Sequence, residues 1–395
     1  MNILIATWSL EVGGSELLCL HLANALAARG HAITIFNSHE DWVDNELLRR
    51  LEPTVSVCSM ADWPILNFLA WKFNALARRL RLSLKIHDLV KARILAHVIR
   101  TRNIEIISSH SSYSDQIASA AAGLTAVPLV ITEQGEYCMF IEANRLDMTE
   151  TLNAADVVIA ISDYCERTLA KHTHLKNEIL TIYNGAVVKR SSSASETVRK
   201  RLGIGNNDVV FVFVARGIPE KGWELAIKAF VGLRAVVDKG VHLILAGGSA
   251  YVQELREFYG GFEGIHFVGV VADPSPYVEA ADVGLMLSLI RTEALSVSAI
   301  EYVLLGKAVI ATDVGGVREV LSYDNQLVGK LIPLDPSGSV NTPQVTEAML
   351  DYANLETPTS TGPEVVQQAE QRFSMQRCAE KYEKLFHELV RSQTS

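Results

Sequence analysis

The sequence predicts an α/β protein made of two doubly wound domains, each a parallel sheet with helices on both faces. Short apolar patterns typical of buried strands alternate with amphipathic helix patterns along most of the 395 residues. The alternation pauses at residues 189–200, a polar, serine-rich stretch, and then restarts. A chain of this length also suggests two or more domains. We therefore expect domains at 1–188 and 201–372, a linker at 189–200, a final segment at 373–395, and a cleft between the two domains.

The composition is that of an ordinary globular protein and argues against several classes. Hydrophobic residues make up 49% and charged residues 21% of the chain, and its net charge of -9 disfavours a nucleic-acid partner. The five cysteines are scattered without a C-x-x-C pair, which fits a reducing cytoplasm and argues against a thiolate metal site. The N-terminal residues MNILIAT lack a basic leader and predict a first strand. No apolar run is long enough to span a bilayer.

The first half opens with a βαβ unit. Residues 2–7 and 33–36 have the pattern of buried strands, and residues 15–29 have that of a helix. The loop before this helix contains Gly13 and Gly14 but lacks G-x-G-x-x-G, which disfavours a tightly bound dinucleotide. A tight turn that needs glycine only for its backbone freedom would show the same pair.

Polar residues follow the later strands of this half, where ligands of open α/β sheets bind. The predicted strands are residues 104–107, 129–132, 157–161 and 179–183. His110 follows the first of these, and Glu133 and Gln134 follow the second. A neutral imidazole at position 110 can hydrogen-bond a ligand hydroxyl or help to steer a proton. A lone histidine at a strand end can also be an ordinary loop residue.

Residues 63–102 are basic in an otherwise acidic chain. Asp88 is the only acid among them, and Trp63, Phe68, Trp71 and Phe73 lie between the charges. The basic residues are Lys72, Arg78, Arg79, Arg81, Lys85, Lys91, Arg93, Arg100 and Arg102. A basic amphipathic segment of this kind is typical of a membrane-surface contact. Two ordinary surface helices with basic solvent faces would give the same pattern.

The second half repeats the alternation. Predicted strands are residues 209–214, 242–246, 265–268, 283–287 and 309–312. Predicted helices are residues 223–236, about 251–259, a short helix ending near 281, one starting near 295, and an amphipathic tail at 376–390. After the first of these strands, residues 215–222 read ARGIPEKG and place Arg216 and Lys221 near a helix start. Such cations can neutralise a departing diphosphate in a partly dry site, and the chain contains no Asp-x-Asp pair for a divalent ion. The alternative interpretation is that Arg216 and Lys221 form ordinary surface salt bridges beside a turn.

Residues 283–301 hold two carboxylates eight positions apart, Glu293 and Glu301. On one helix they would lie on nearly the same side, with Glu293 at or near the helix start. Unpaired amides at such a start can hold a phosphate, and the small residues Ala294 and Ser296 would let a ligand come close. An ordinary surface helix with two unrelated glutamates would show the same spacing.

Taken together, these motifs resemble those of the retaining glycosyltransferases of family 4, which have the GT-B fold of two Rossmann-like domains facing across a cleft. The resemblance covers most of the chain and rests on motifs that occur in the family's order. They are Gly13-Gly14-Ser15-Glu16, His110, Asn184-Gly185, Arg216 with Lys221, Gly247-Gly248, Glu293 with Glu301, and the segment from Thr312 to Gly316.

The resemblance implies a role for each motif. His110, Arg216, Lys221 and Glu293 would act at the reaction centre, where the two cations bind the donor diphosphate and Glu293 contacts the donor sugar. The other implied donor-binding residues are Gly13, Gly14, Gly247, Gly248, Ala294, Leu295, Ser296 and the ribose-binding Glu301. Ala294-Leu295-Ser296 replaces the usual Gly-Phe-Gly, which bears on the sugar. Gln134 stands where relatives often have histidine, which bears on the acceptor side together with Glu133.

The resemblance also implies an activity and a setting. The expected enzyme moves a hexosyl group from a UDP- or GDP-linked donor to a sugar or lipid-linked acceptor, without a metal or another cofactor. Bacterial polysaccharide, lipopolysaccharide or glycolipid assembly is the expected pathway type. We expect a cytoplasmic protein, peripheral at the inner face of the plasma membrane, whose last helix packs back on the first domain. A sugar-nucleotide epimerase or phosphorylase of the same fold, and a non-catalytic nucleotide- or lipid-binding scaffold, are the alternatives.

Overall fold

A computed structural model describes residues 1–10, 13–39, 43–79, 85–172, 174–355 and 361–394. The chain forms two compact units. Unit 1 consists of Met1–Gly185 and Met375–Ser395, and unit 2 of Ala186–Ser374. Each unit is built around one parallel sheet, with seven strands in unit 1 and six in unit 2. The predicted α/β class with two doubly wound sheets is confirmed. Within the described ranges, no helix has the length and apolar character needed to cross a bilayer.

Unit 1 alternates strands with helices in the order expected for parallel pairing. Its strands are β1 Asn2–Thr7, β2 Ala32–Asn37, β3 Ser56–Ser59, β4 Ile106–Ser109, β5 Leu129–Glu133, β6 Val157–Ala160 and β7 Glu178–Thr181. Its helices are α1 Gly14–Ala28, α2 Asn45–Leu48, α3 Pro64–Arg79, α4 Ile86–Thr101, α5 Ser112–Thr125, α6 Glu136–Glu142, α7 Asp163–His172 and α16 Met375–Thr394, with short 3-10 turns at Met60–Asp62 and Leu146–Ala154. The sheet order is β3-β2-β1-β4-β5-β6-β7.

Both faces of the unit 1 sheet are covered, which explains why its strands are apolar throughout. Side chains of a strand point alternately to opposite faces. Ile3 and Ile5 of β1 pack into one core with α1 and α16, and Leu4 and Ala6 pack into the other with α4 and α5. Strands buried on both faces read as continuous apolar runs.

The C-terminal helix α16 belongs to the core of unit 1. Its residues Tyr382 and Phe386 are fully buried among residues of β1 and α1. The backbone at Gly185 lies close to the start of α16, because a Cβ on Gly185 would lie 2.5 Å from the Cα of Met375. The last helix therefore completes a core that begins with the first strand.

Unit 2 repeats the same plan. Its strands are β8 Val209–Val214, β9 Val241–Ala246, β10 Ile265–Gly269, β11 Val283–Met286, β12 Ala308–Thr312, the hairpin strands β13 Ser322–Tyr323 and β14 Gln326–Leu327, and β15 Gly329–Ile332. Its helices are α8 Ser192–Leu202, α9 Trp223–Arg234, α10 Ala250–Tyr259, α11 Ser275–Ala280, α12 Val297–Leu304, α13 Val317–Leu321, α14 Thr342–Ala353 and α15 Pro363–Phe373, with a 3-10 turn at Pro219–Lys221. The main sheet has the order β10-β9-β8-β11-β12-β15.

The segment 189–200, expected to be a linker, is largely helical. The hydroxyl of Ser191 accepts a hydrogen bond from the amide of Ala194 and caps the start of α8. At the other end of the helix, Gly203 takes a left-handed conformation with φ of 68°. Arg199 then fastens α8 to unit 2 through the carbonyl of Ala280 at 2.8 Å and the carboxylate of Asp282 at 3.2 Å. Of the serines that suggest a linker, Ser191 caps the helix, and Ser192, Ser193 and Ser195 lie within it.

In each sheet the strand order reverses at one point, and ligands of open α/β sheets bind at such a point. In unit 1 the reversal lies between β1 and β4, and in unit 2 between β8 and β11. The loops that follow these strands carry Gly13 and His110 in unit 1, and Lys221 and Glu293 in unit 2.

The place of α16 in the core yields a stability prediction. Phe386→Ala is expected to lower the free energy of unfolding by about 3–5 kcal/mol, because it leaves a cavity in a fully packed site. Thermal and denaturant unfolding would measure the loss. Phe258→Ala on α10, where the ring is 73% exposed, is the matched control and should change stability by less than about 0.5 kcal/mol. Equal effects of the two substitutions would contradict the packing of α16 described above.

Candidate functional site

The loop after β8 is fixed by its backbone. The indole Nε1 of Trp223, which is fully buried, donates to the carbonyl of Arg216 at 2.8 Å. Gly222 has φ of 85°, and a Cβ there would lie 2.1 Å from the carbonyl oxygen of Leu287. Only glycine fits this close approach of two strand-end loops. Lys221, the residue before it, is thereby held against the loop that follows β11.

The neighbouring loop after β9 packs equally closely on the same side. Gly247 has φ of 140°, and a Cβ there would lie 2.1 Å from the carbonyl oxygen of Ala215. The hydroxyl of Ser249 donates to the carbonyl of Gly217 at 2.6 Å. Gly247 therefore has a structural reason to be glycine, and the position of Gly247 and Gly248 near a nucleoside stays a prediction.

A tyrosine hydroxyl separates β8 from β11 where these strands end. The ladder between them ends with the pair Phe213 and Leu285. One residue later, the amide of Val214 donates instead to the hydroxyl of Tyr302 at 2.9 Å. The ring of Tyr302 lies against Gly284, where a Cβ would come within 2.2 Å of it. The Tyr302 side chain thus separates the carboxyl ends of the two strands, and its hydroxyl keeps the Val214 amide hydrogen-bonded.

Lys221 and Glu293 form an ion pair at this opening. The Lys221 ammonium lies 2.8 Å from Oε1 and 2.6 Å from Oε2 of Glu293. The hydroxyl of Ser288 donates to the same Oε2 at 2.6 Å. The side chains of Lys221 and Glu293 are only 16% and 11% exposed, so the pair is largely removed from water. A charge in such a place acts more strongly on a bound anion than it would at the surface.

The turn that carries Glu293 is held from both sides. The amide of Leu289 donates to the carbonyl of Glu220 at 2.7 Å. The hydroxyl of Thr312 donates to the carbonyl of Ser288 at 2.6 Å, and the amide of Gly316 donates to the carbonyl of Glu293 at 2.9 Å. Gly315, with φ of 50°, lies so close that a Cβ would be 2.0 Å from that same oxygen. The segment from Thr312 to Gly316 thus positions the carboxylate.

The expectation that Glu293 begins a helix shared with Glu301 is wrong. Helix α12 starts at Val297, because the hydroxyl of Ser296 accepts from the amide of Ala299 and makes Ser296 the cap. Glu293 lies in the preceding turn, where its carbonyl accepts a hydrogen bond from the amide of Gly316 in the loop after β12. The two glutamates therefore occupy different elements, and the helix N-terminus lies after residue 296 rather than after Thr292.

Glu301 lies on α12 and is half-buried. Burial raises the pKa of its carboxyl to about 8, and the negative charge of Asp273 adds to the effect. Asp273 in turn lies 3.7 Å from the ammonium of Lys189. A carboxyl with a raised pKa is poised to change charge near neutral pH, and hydroxyl groups that donate to it would favour the ionised form.

The remaining predicted residues of unit 2 fall into two groups. Arg216 is exposed, and its guanidinium has no partner among the residues that the structure describes, so it is available to an anion. Ala294, Leu295 and Ser296 are buried, with at most 7% of their surface exposed. They form the tight lead into α12, and the structure does not bring Arg216 or Glu301 into contact with the Lys221–Glu293 pair.

In unit 1, His110 lies in a buried hydrogen-bond network. Its Nε2 is 2.9 Å from the hydroxyl of Ser108, and its Nδ1 is 3.4 Å from the amide nitrogen of Gln134. The side-chain oxygen of Gln134 also accepts from the side-chain amide of Asn184 at 3.0 Å, and the ring of Tyr382 stacks on the imidazole. Burial lowers the pKa of His110 to about 3, so the ring is neutral. Both ring nitrogens have protein partners, which favours a positioning role over proton transfer.

Glu133 is a helix cap rather than an exposed acceptor-side residue. Its carboxylate accepts from the amides of Tyr137 at 3.0 Å and Cys138 at 2.9 Å, at the start of α6. Burial raises its pKa to about 7 against these hydrogen bonds, which lower it. The fully buried position leaves no face for a ligand. The expectation for Glu133 is therefore corrected, whereas Gln134 is half-buried and linked to His110.

Gly13 and Gly14 lie at the start of α1. Gly13 is the extended N-cap residue, and a Cβ there would lie 2.2 Å from Oε2 of Glu16. Glu16 accepts from the hydroxyls of Ser9 at 3.1 Å and Ser15 at 2.8 Å. Gly13 thus lets Glu16 fold back over the helix start, whereas a Cβ on Gly14 would meet no atom within 4 Å. Residues 11–12, next to this loop, lie outside the described ranges.

Among the residues that the structure describes, two groups of side chains have the chemistry of metal ligands. His31, Glu383 and His387 form one, and Glu133, Cys138 and Cys165 form the other. Both lie in unit 1. The carboxylate of Glu133 is already committed to backbone amides, and that of Glu383 is paired with Arg29 at 2.5 Å. Neither group includes a residue of the Lys221–Glu293 site.

Sequence reasoning missed several residues that shape this site. Ser288, Trp223 and Tyr302 each make a contact that no local pattern identifies. A glycine inside a strand suggests close approach of another group, and Gly284 within β11 is the one local signal that pointed to Tyr302.

Two family models match the chain. The model described as Glycosyltransferase Family 4 matches residues 12–190, and the model described as Glycosyl transferases group 1 matches residues 208–341. The chain is 23% identical over 306 residues to an uncharacterized glycosyltransferase of Methanocaldococcus jannaschii. The matched region covers 75% of this chain and 79% of that protein. The chain is also 21% identical to N-acetyl-alpha-D-glucosaminyl L-malate synthase of Bacillus anthracis, over 96% of this chain and 95% of that one.

Solved structures share the fold. The Anabaena protein HepE, crystallised with UDP and glucose, has a TM-score of 0.73 and 20% identity over 98% of this chain and 100% of its own. Sucrose-phosphate synthase of Thermosynechococcus elongatus has a TM-score of 0.72 and 18% identity over 99% and 100%. The predicted GT-B fold is confirmed by these likenesses.

The environment of Glu301 yields a pH prediction. Because the folded protein disfavours its charged form, stability should fall as pH rises from the ordinary carboxyl pKa of 4.5 to about 8. Glu301→Gln removes this loss. Above pH 8 the variant should have a higher free energy of unfolding than the parent chain, by on the order of a few kcal/mol at most, and should therefore melt at a higher temperature. It should show no such gain near pH 4. Glu347→Gln, at an exposed position of α14, controls for the lost charge. A gain independent of pH would contradict the assignment.

Proposed function

The chain belongs to glycosyltransferase family 4 of the group 1 glycosyltransferases, and on that premise we propose a retaining, metal-independent enzyme. It moves a hexosyl group from a UDP- or GDP-linked donor to an acceptor hydroxyl. The observation that carries this proposal is the ion pair of Lys221 and Glu293, which is largely removed from water at the reversal point of the unit 2 sheet. Unit 2 is accordingly the donor-binding unit.

Lys221 and Arg216 stabilise the departing diphosphate in this scheme. When the bond from the sugar to the phosphate breaks, negative charge grows on the leaving group and must be neutralised. The Lys221 ammonium is fixed, and the exposed guanidinium of Arg216 can offer two parallel donors to phosphate oxygens. Unpaired amides at the start of α12 add partial positive charge without any metal ion.

Glu293 and Glu301 recognise the rest of the donor. Glu293 keeps Lys221 oriented and can accept from donor-sugar hydroxyls, while Glu301 accepts from the ribose hydroxyls. Because the carboxylate of Glu293 already accepts from Lys221 and Ser288, it is a weak nucleophile. We therefore favour retention on one face of the sugar, with the leaving phosphate oxygen taking the acceptor proton, over a covalent sugar–carboxylate intermediate.

Unit 1 is the acceptor-binding unit in this proposal. Gln134 is half-buried and hydrogen-bonded to the neutral ring of His110. A contact between Gln134 and the acceptor would therefore be held in place by His110. The solved structure of HepE with UDP and glucose supports a uridine donor, and the Bacillus anthracis relative supports N-acetylglucosamine as one candidate sugar. Polysaccharide, lipopolysaccharide or glycolipid assembly, at the cytoplasmic face of a membrane, is the setting.

Removal of either partner of the ion pair tests the proposal. Lys221→Ala and Glu293→Ala should each lower kcat/KM by about 10²–10³-fold, because stabilisation of the leaving group is lost. Transfer would be measured with a panel of UDP- and GDP-sugars, and donor binding by calorimetry. Lys228→Ala, on α9 and 52% exposed, is the matched control and should keep nearly full activity.

A structural salt bridge would give a different outcome. Each single variant leaves a buried charge without its partner and should melt at a lower temperature. The double variant K221A/E293A should recover much of that stability while staying inactive. Activity that returns with stability, or single variants that turn over normally, would contradict the assignment. Binding of no nucleotide sugar would favour the scaffold, and isomerised or free sugar as sole product would favour the epimerase or phosphorylase.

Metal independence has its own test. Turnover in excess EDTA should stay within about twofold of turnover with added magnesium or manganese, since cationic side chains replace the ion. Transfer that stops in EDTA and returns with either metal would overturn this part of the proposal.

A further inference from the structure

Helix α3 packs against unit 1 with its small residues and turns its large apolar residues outward. The face toward α4 carries Ala70 and Ala77, which are 2% and 4% exposed, and Asn67, whose side chain meets His87 of α4 at 2.8 Å. Most surface helices bury large apolar residues and expose small or polar ones. In α3 this arrangement is reversed.

The exposed face forms a continuous apolar stripe. Ile65, Leu69, Phe73 and Leu76 recur at intervals of three or four residues, so they line one side of the helix. They are 74%, 42%, 55% and 50% exposed, and Leu66 beside them is 48% exposed. Phe68 and Trp71, 54% and 57% exposed, lie beyond Lys72, whose ammonium is 4.5 Å from the centre of the Phe68 ring. Single exposed apolar residues are common, but five that adjoin on one side of a helix, the four stripe residues and Leu66, mark an interaction surface.

The surroundings of the stripe are basic. Lys72 and Arg79 lie along one edge of the stripe and are exposed. Lys85, just before α4, and Arg93, within α4, are exposed as well. Asp88 is the one acid within α3 and α4 as described, and it is half-buried and accepts from the hydroxyl of Tyr113 at 2.8 Å. Arg81, part of the basic segment in the sequence, lies outside the described residues, as does the side chain of Arg78.

We propose that α3 is a membrane anchor that lies in the plane of an anionic lipid surface, with the stripe among the acyl chains and the lysines and arginines at the headgroups. An apolar face with aromatic residues beside cations is the pattern of interfacial helices. The helix has 16 residues and contains Lys72, so it lies along the surface rather than crossing it.

A second copy of the chain is a poorer occupant. A symmetric contact through α3 would place its cations opposite the same cations of the partner copy, and like charges repel. An anionic bilayer satisfies both the apolar stripe and the charge. The proposal goes beyond sugar transfer and does not depend on it, because it concerns where the enzyme is held.

Flotation of the full chain with vesicles tests the anchor. Vesicles of phosphatidylglycerol and phosphatidylethanolamine should bind the protein, and vesicles of phosphatidylcholine alone should bind it more weakly. L69S/F73S removes two exposed side chains and should weaken binding at least about tenfold. F258S, which removes an exposed phenylalanine of unit 2, is the matched control and should bind like the parent chain.

High salt and charge-reversed variants distinguish electrostatic attraction to the headgroups from insertion of the apolar stripe. K72E/R79E should weaken binding, while high salt should leave part of the parent chain bound through the stripe. If L69S/F73S binds like the parent chain, or if no vesicle binds the parent, the proposal fails. If the stripe variant instead changes the oligomeric state in sedimentation velocity, the occupant is a second copy. Transfer to a soluble acceptor should survive in L69S/F73S, so loss of vesicle binding and loss of catalysis are distinguishable.

Discussion

The site depends on keeping two opposite charges close together and nearly dry. Removing Lys221 and Glu293 from water costs free energy, and only a short, well-fixed contact with further hydrogen bonds offsets that cost. The neighbouring features all contribute to that contact. Gly222 brings the Lys221 loop against Leu287, Gly315 and Gly316 hold the backbone of Glu293, and Ser288 occupies the carboxylate. A rigid pair of this kind is preorganised for an incoming anion, which is the main source of electrostatic catalysis.

The sequence predicted the sheets well because their strands are buried on both faces. The bounds of strands β1 and β8 were predicted correctly, since β8 is an uninterrupted apolar run and β1 is apolar between Asn2 and Thr7. The edge strands β3 and β15 went unrecognised, because Ser56–Ser59 and Gly329–Ile332 mix polar residues or glycine into short segments. Tertiary contacts, which no local pattern encodes, pair these segments with β2 and β12.

At the site, the sequence identified the charged residues but not their geometry. Lys221 and Glu293 were both expected to contact a donor, yet their mutual contact arises from loops that lie 72 residues apart in the chain. The wrong helix start at Glu293 has a simple cause. An acidic residue is favoured in the first turn of a helix, but Ser296, three positions later, is the better cap, and the loop after β12 holds Glu293 in a turn. Glu133 shows the reverse case, because a carboxylate at a strand end became the cap of the next helix.

Unit 1 is discontinuous in sequence, and this affects how the chain is made. Its core is assembled from the first strand and from Tyr382 and Phe386 near the other end, while unit 2 is synthesised in between. During translation, the face of β1 that α16 covers stays open until α16 itself has left the ribosome. Unit 2, whose 189 residues are contiguous from Ala186 to Ser374, can fold first. A nascent or truncated chain therefore exposes an apolar surface that a chaperone would have to shield.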